Sequence, residues 1–149
     1  MADENLVGWA YWQFKTYADL TTSAGTGSEG FWNQDGTLQD YKVKALARSY
    51  LPVTQGVLTS QQFDTATAAF KAEFTYSDLA TGATSAYLNQ EYWYQGEPEV
   101  TITVMDSQVV DKSAVGYACS NNYCTFDISK HAGIMSGDKV TITATVASQ

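Results

Sequence analysis

The spacing of apolar side chains changes once along this chain, near residue 52. Before that point Val43, Leu46, Ala47, Tyr50 and Leu51 fall on one face of a 3.6-residue period. Thr37 stands where a helix cap is wanted, with Asp40 three residues later in capping-box position. The pattern predicts a helix from about Leu38 to Leu51, stopped by Pro52. After it the period is two. Phe70, Ala72, Phe74 and Tyr76 alternate with Lys71, Glu73 and Thr75, and Val140, Ile142, Ala144 and Val146 alternate with Thr141, Thr143 and Thr145. Further strands are predicted at Ala86 to Tyr94, Glu99 to Val104, Val109 to Val110, Val115 to Ala118 and Cys124 to Ile128. Turn signals at Thr81-Gly82, Gln95-Gly96 and Ser136-Gly137-Asp138 separate them. Some six to eight short strands over about 95 residues, apolar on one face only, predict a mainly β fold, an immunoglobulin-like antiparallel β-sandwich.

The start of the chain is of another kind. Gly8-Trp9-Ala10-Tyr11-Trp12-Gln13-Phe14-Lys15 places large aromatics on both faces of an extended segment, since Trp9, Tyr11 and Gln13 point one way and Ala10, Trp12 and Phe14 the other. Bulk on both sides predicts a strand covered on both sides, as in a parallel α/β sheet or barrel. A polar, Gly-rich loop from Thr16 to Gly36 follows, closed by the Asp35-Gly36 turn signal. With the helix after it, the order is that of a βα unit. The expected division is therefore residues 1–52 and residues 53–149. A strand that begins at residue 6 with nothing before it to pair with suggests a fragment or a truncated gene product. Its apolar edge, Leu6 to Phe14, is an expected site of self-association.

With 149 residues the chain is long enough for one domain with a core, but not for a complete (β/α)8 barrel of about 250 residues. Its net charge of -8 argues against nucleic acid and anionic membrane surfaces as partners, both of which demand basic patches. No apolar run approaches a membrane-spanning length, and Met1 to Val7 lacks the features of a signal peptide. Aromatics make up 13% of a chain only 16% charged, a surplus that serves either a dense core or a sugar-facing surface. Cys119 and Cys124 enclose four residues. A bond between them would cross a hairpin and favour an oxidising compartment; reduced thiols on adjacent strands are the alternative.

Other constellations are weak. His131 has no partner for a metal site, Asn33-Gln34-Asp35-Gly36 lacks most of the ligands of a calcium loop, and no Gly pattern suits a phosphate. Glu29 and Asp35 share one flexible loop with nothing rigid to set their separation. No cofactor and no metal are expected.

The segments Gly8 to Lys15 and Glu29-Gly30-Phe31-Trp32-Asn33-Gln34-Asp35-Gly36, followed by Lys44-Ala45-Leu46-Ala47-Arg48-Ser49-Tyr50, resemble the end of a glycoside hydrolase family 5 barrel of the endoglycoceramidase-like kind. Gly56 to Phe63, Phe70 to Tyr76 and Tyr87-Leu88-Asn89-Gln90-Glu91-Tyr92-Trp93-Tyr94 are similar to that family's small C-terminal β domain. The resemblance implies that residues 1–52 are the last strand and helix of a (β/α)8 barrel, and that Trp12 matches a Trp lying beneath the sugar at the cleavage point. Lys15 at the loop entrance is then a candidate for sugar hydroxyls, and Tyr17, Glu29 and Trp32 for the cleft wall. The family's two catalytic Glu residues come from the fourth and seventh barrel strands, neither of which is in this sequence, so this polypeptide alone is expected to hydrolyse nothing. The implied parent is a secreted, lumenal or lysosomal glycosidase of glycolipids or β-glucosides. The aromatic cluster Tyr87, Tyr92, Trp93 and Tyr94 would join sandwich to barrel, or contact carbohydrate or lipid. The alternatives are a stand-alone carbohydrate-binding or structural β-sandwich module and a nonfunctional gene remnant.

Overall fold

The computed structural model describes residues 2–12, 14 and 29–147. The chain forms two compact units, Gly8–Ala47 and Met1–Val7 with Arg48–Gln149. In the larger unit nine strands are present among the described residues: β1 Tyr50–Val53, β2 Gly56–Phe63, β3 Phe70–Tyr76, β4 Thr84–Tyr87, β5 Glu99–Val104, β6 Gln108–Val109, β7 Ala118–Ser120, β8 Tyr123–Phe126 and β9 Lys139–Thr145. They form two antiparallel sheets, ordered β1-β4-β8-β7 and β2-β3-β9-β5-β6. The expected β-sandwich is therefore the fold of this unit.

Alternation explains the core. Phe70, Ala72, Phe74, Val100, Ile102, Val104, Val140, Ile142 and Ala144 line the inner face of the five-stranded sheet, where Ala72 and Ile102 both sit opposite Ile142. Leu51, Ala86, Cys124 and Phe126 face them from the four-stranded sheet. The alternate positions, Lys71, Glu73, Thr75, Thr101, Thr103, Thr141 and Thr143, stay at the surface or half-buried, as side chains on the opposite face of a strand must.

Four predicted elements come out differently. Val115 to Ala118 is not a strand: Gly116 takes a positive φ of 63° in a turn, the Tyr117 N–H bonds back to the Lys112 carbonyl at 3.0 Å, and β7 begins only at Ala118. The run Ala86 to Tyr94 is not one strand: β4 ends at Tyr87, and Gln90–Tyr94 form a single π-helical turn. The cause is Asn89, whose side-chain oxygen accepts from the Tyr92 backbone N–H at 2.7 Å and caps the turn. Tyr92, Trp93 and Tyr94 consequently do not alternate between two faces. Tyr94 is buried with its hydroxyl 2.9 Å from that of Ser49, and Trp93 stands edge-on to Phe63, with ring centroids 5.0 Å apart.

The predicted helix is shorter. The helix α1 spans Asp40–Leu46, and Pro52 lies inside β1, an edge strand, where its missing N–H breaks no ladder. Tyr50 and Leu51 thus belong to a strand, Leu51 inward and Tyr50 outward. Thr37 does not cap the helix; its N–H and hydroxyl both donate to the Asp35 carboxylate.

The aromatic segment near the start departs most from expectation. Residues 7–11 adopt no regular secondary structure, and Trp9, Tyr11, Trp12 and Phe14 are exposed. The Phe14 carbonyl accepts from the Phe31 N–H at 3.2 Å, but no strand lies beside residues 7–11 among the described residues, so their strand propensity has nothing to pair with. No barrel strand is seen among the described residues of this segment.

Candidate functional site

In the smaller unit the turn Asn33 to Thr37 is set by short-range polar bonds. Asn33 N–H donates to the Thr37 carbonyl at 2.8 Å, and the Asp35 carboxylate accepts from the Thr37 N–H at 2.9 Å and hydroxyl at 2.6 Å. Gly36 takes the positive φ of 82° that the turn requires. The Thr37 hydroxyl and then its N–H hold the Asp35 carboxyl below the usual carboxylate range. That carboxylate is a turn acceptor, and Glu29 is exposed on the other arm of the loop.

The turn lets Trp32 bridge to Leu38, and Gln39 secures the return. Its backbone N–H donates to the Phe31 carbonyl at 2.6 Å and its side-chain amide to the Trp32 carbonyl at 3.2 Å. Lys42 donates to the Gly30 carbonyl at 3.1 Å. Held this way, Phe31 meets Tyr11 at 5.0 Å and Phe14 at 6.0 Å, while Trp32 stands perpendicular to Phe14 at 6.3 Å. The Trp32 indole N–H is buried and finds no partner among the described residues.

Trp12 is placed otherwise. It is 71% exposed and stacks on no ring among the described residues. The structure thus gathers Trp32 into an aromatic cluster with Tyr11, Phe14 and Phe31 and leaves Trp12 outside it. Lys15 and Tyr17 lie outside the described residues. Sequence reasoning singled out Trp32 but not the cluster around it; the adjacent pair Phe31-Trp32 was the available signal.

On the larger unit a second aromatic group lies on the outer face of the four-stranded sheet. Tyr50 pairs with Tyr87 and Tyr87 with Tyr123 across adjacent strands, at ring distances of 5.3 and 5.2 Å. This row also went unseen in the sequence, because its members sit 37 and 36 residues apart. Beside it, β7 and β8 form a hairpin in which Cys119 faces Cys124, and the two are joined by a disulfide. Asn121 and Asn122 both take positive φ, 50° and 69°, the pair of left-handed residues that a two-residue hairpin loop uses.

Among the described residues no cluster of His, Cys, Asp or Glu is arranged to hold a metal ion, and no helix is long and apolar enough to cross a membrane.

Residues 48–143 match the family described as Glycoside hydrolase family 5 C-terminal domain. The chain belongs to that family. The match starts at the boundary of the larger unit and ends within β9, so this family 5 C-terminal domain is the β-sandwich itself. No curated protein matches the chain. Among solved structures it is similar to endo-glycoceramidase II from Rhodococcus sp., with TM-score 0.63 and 22% identity, over 99% of this chain and 27% of that one. The complex of that protein with ganglioside GM3 matches at TM-score 0.62, also at 22% identity, covering 99% of this chain and 26% of that one. Cryptococcus neoformans sterylglucosidase 1 matches at TM-score 0.53 and 17% identity, over 79% of this chain and 18% of that one. At such identities the likeness concerns fold. The family 5 C-terminal domain and its preceding unit span roughly a quarter of the length of the first of these relatives.

Proposed function

We propose that the chain is the C-terminal portion of a retaining glycoside hydrolase that acts on glycolipid or β-glucoside substrates, with Trp12 beneath the sugar next to the scissile bond. Residues 1–52 are, in this reading, the closing strand and helix of a (β/α)8 barrel, and 53–149 the appended sandwich. Membership of the family supports the class of reaction. The observation that supports the site is Trp12, 71% exposed and stacked on no ring among the described residues. A tryptophan of that exposure offers a flat apolar face, and the axial C–H bonds of a pyranose stack on such a face. In this reading Trp32 belongs to the cleft wall, and Lys15 supplies a donor for sugar hydroxyls.

The chemistry needs two carboxylates about 5 Å apart, one attacking the anomeric carbon and one protonating the leaving oxygen, then activating water. They are supplied from outside this chain. The disulfide fits a secreted or lumenal location, where such bonds persist. The exposed side chains of Val7, Trp9 and Phe14 support self-association through Leu6 to Phe14 when nothing else covers them.

The test is to join the chain to upstream βα units that carry the two Glu residues and to measure turnover of an aryl β-glucoside and of a glycosphingolipid. Trp12→Ala should lower kcat/KM by about a hundredfold or more while the melting temperature stays unchanged. Full turnover in that variant would remove Trp12 from the site.

A further inference from the structure

We propose that the row Tyr50, Tyr87 and Tyr123 on the outer face of the four-stranded sheet is a binding platform for a neutral, soluble oligosaccharide. The row is continuous across three adjacent strands, because Tyr50 lies opposite Tyr87 and Tyr87 opposite Tyr123. Tyr50 and Tyr123 are 40% and 43% exposed, which leaves ring surface for a ligand without removing the support beneath it. The exposed rings of Tyr50 and Tyr123 supply surface for the C–H side of a sugar and hydroxyls for its polar edge, while Tyr87, half-buried between them, supports both.

The surroundings select the chemistry of the ligand. The next row along the same face is Val53, Ser85, Thr125 and Ala118, and Ser120 continues the tyrosine row on β7. None carries a charge, on a chain whose net charge is -8. The outer face of the other sheet, by contrast, bears Lys71 and Glu73, joined as an ion pair at 2.9 Å. An uncharged face of rings and hydroxyls suits a polyol and offers no countercharge to a phosphate or sulfate, which the net negative charge also repels.

The middle of the row is also anchored before a ligand arrives. The side-chain amide of Asn89 donates to the Tyr87 hydroxyl at 2.9 Å, and Asn89 is itself fixed as the cap of the π-helical turn. Tyr123 sits next to Cys124, whose disulfide to Cys119 closes the hairpin. Binding to a surface ordered in advance loses little side-chain entropy.

Ring orientation narrows the class further. Tyr50 is inclined 38° to Tyr87, and Tyr87 62° to Tyr123, so the rings do not share a plane. Such a corrugated row fits a single twisted glycan chain and not the flat face of a crystalline polysaccharide.

The test uses the full chain carrying Trp12→Ala, so that the residue proposed for the cleft takes no part in the result. Titration calorimetry with lactose, cellotetraose and maltotetraose should give saturable binding of at least one of them, with no retention on microcrystalline cellulose. Tyr50→Ala or Tyr123→Ala should weaken binding by about tenfold or more, while Tyr50→Phe, which keeps the ring, loses only about threefold. Ring resonances of Tyr50, Tyr87 and Tyr123 should shift on titration, and this readout needs no change in the row. The proposal is overturned if none of the three sugars binds, if Tyr50→Ala binds as tightly as its parent, or if the shifts fall elsewhere. It is equally overturned if Tyr50→Ala abolishes a dimer seen by sedimentation while the sugars leave the row untouched, because the face would then belong to a second copy of the chain.

Discussion

Gly56 presses against Thr75. A Cβ built on Gly56 would lie 1.9 Å from the Thr75 carbonyl oxygen and 2.8 Å from its carbonyl carbon, and Gly56 holds a φ of 151°. Both facts concern backbone, which no rotamer change relieves. Gly56→Ala should therefore lower the free energy of unfolding by about 3 kcal/mol, read as a fall in the urea midpoint. Gly82→Ala is the control. That glycine also has positive φ, but its Cβ would meet open space, so the loss should be about 1 kcal/mol.

Gln55 ties the start of β2 to the end of β8. Its side-chain amide donates to Asp127 at 2.8 Å, its side-chain oxygen accepts from the Ile128 N–H at 2.7 Å, and its backbone N–H donates to the Thr84 hydroxyl at 3.0 Å. The residue is 3% exposed, so water cannot replace it. Gln55→Ala leaves a buried Ile128 N–H without an acceptor and should cost about 2 to 3 kcal/mol. Hydrogen exchange at Ile128 should accelerate more than exchange at Ile142.

Acid should unfold the sandwich through its turn carboxylates. Ser129, then Gln55, hold the Asp127 carboxyl below its ordinary range; the Ala66 N–H and the Thr67 hydroxyl do the same for Asp64, and Ser113 does so for Asp111. A carboxyl depressed in the folded state stabilises it fully above the unfolded value, near 4, and the contribution is lost as pH falls through the lower folded value. Stability should decline below about pH 4, and Asp127→Asn should make that decline shallower.

At the alkaline end the sign is reversed in mechanism but not in effect. Burial, then the charge of Glu97, pushes the Tyr117 hydroxyl up to about 12. The unfolded chain gives up that proton near pH 10, so the folded state loses stability between about pH 10 and 12. Tyr117→Phe should flatten this limb, as followed by tyrosinate absorbance and circular dichroism together.

The disulfide closes a loop with a sequence separation of 5, from Cys119 to Cys124. Loop-closure entropy for so short a ring is worth about 2 kcal/mol. Cys119→Ala with Cys124→Ala should lower stability by that amount while leaving the far-ultraviolet spectrum intact, since the same hairpin is also held by β7–β8 ladder bonds.

The sandwich was legible because its strands obey a local rule. Phe70 to Tyr76, Glu99 to Val104 and Val140 to Thr145 alternate strictly, and alternation survives whatever the partner strand. The run through Tyr92 to Tyr94 misleads for an equally local reason, since a single capping asparagine outweighs aromatic strand propensity once the chain must turn. Helix length was overread because Tyr50 and Leu51 fit a 3.6-residue face as well as they fit an edge strand.

By itself the sequence determined the two-residue period of the main sandwich strands, the closeness of Cys119 to Cys124 and the motifs that resemble family 5. All of these depend on residues a few positions apart. Only the tertiary structure decided that Trp32 joins Phe14 and Phe31 while Trp12 keeps a free face, that Gln55 reaches Asp127, and that three distant tyrosines form one row. Cross-strand register brings together residues separated by thirty or more positions, and it follows from how two sheets close over a shared core, which no local pattern encodes.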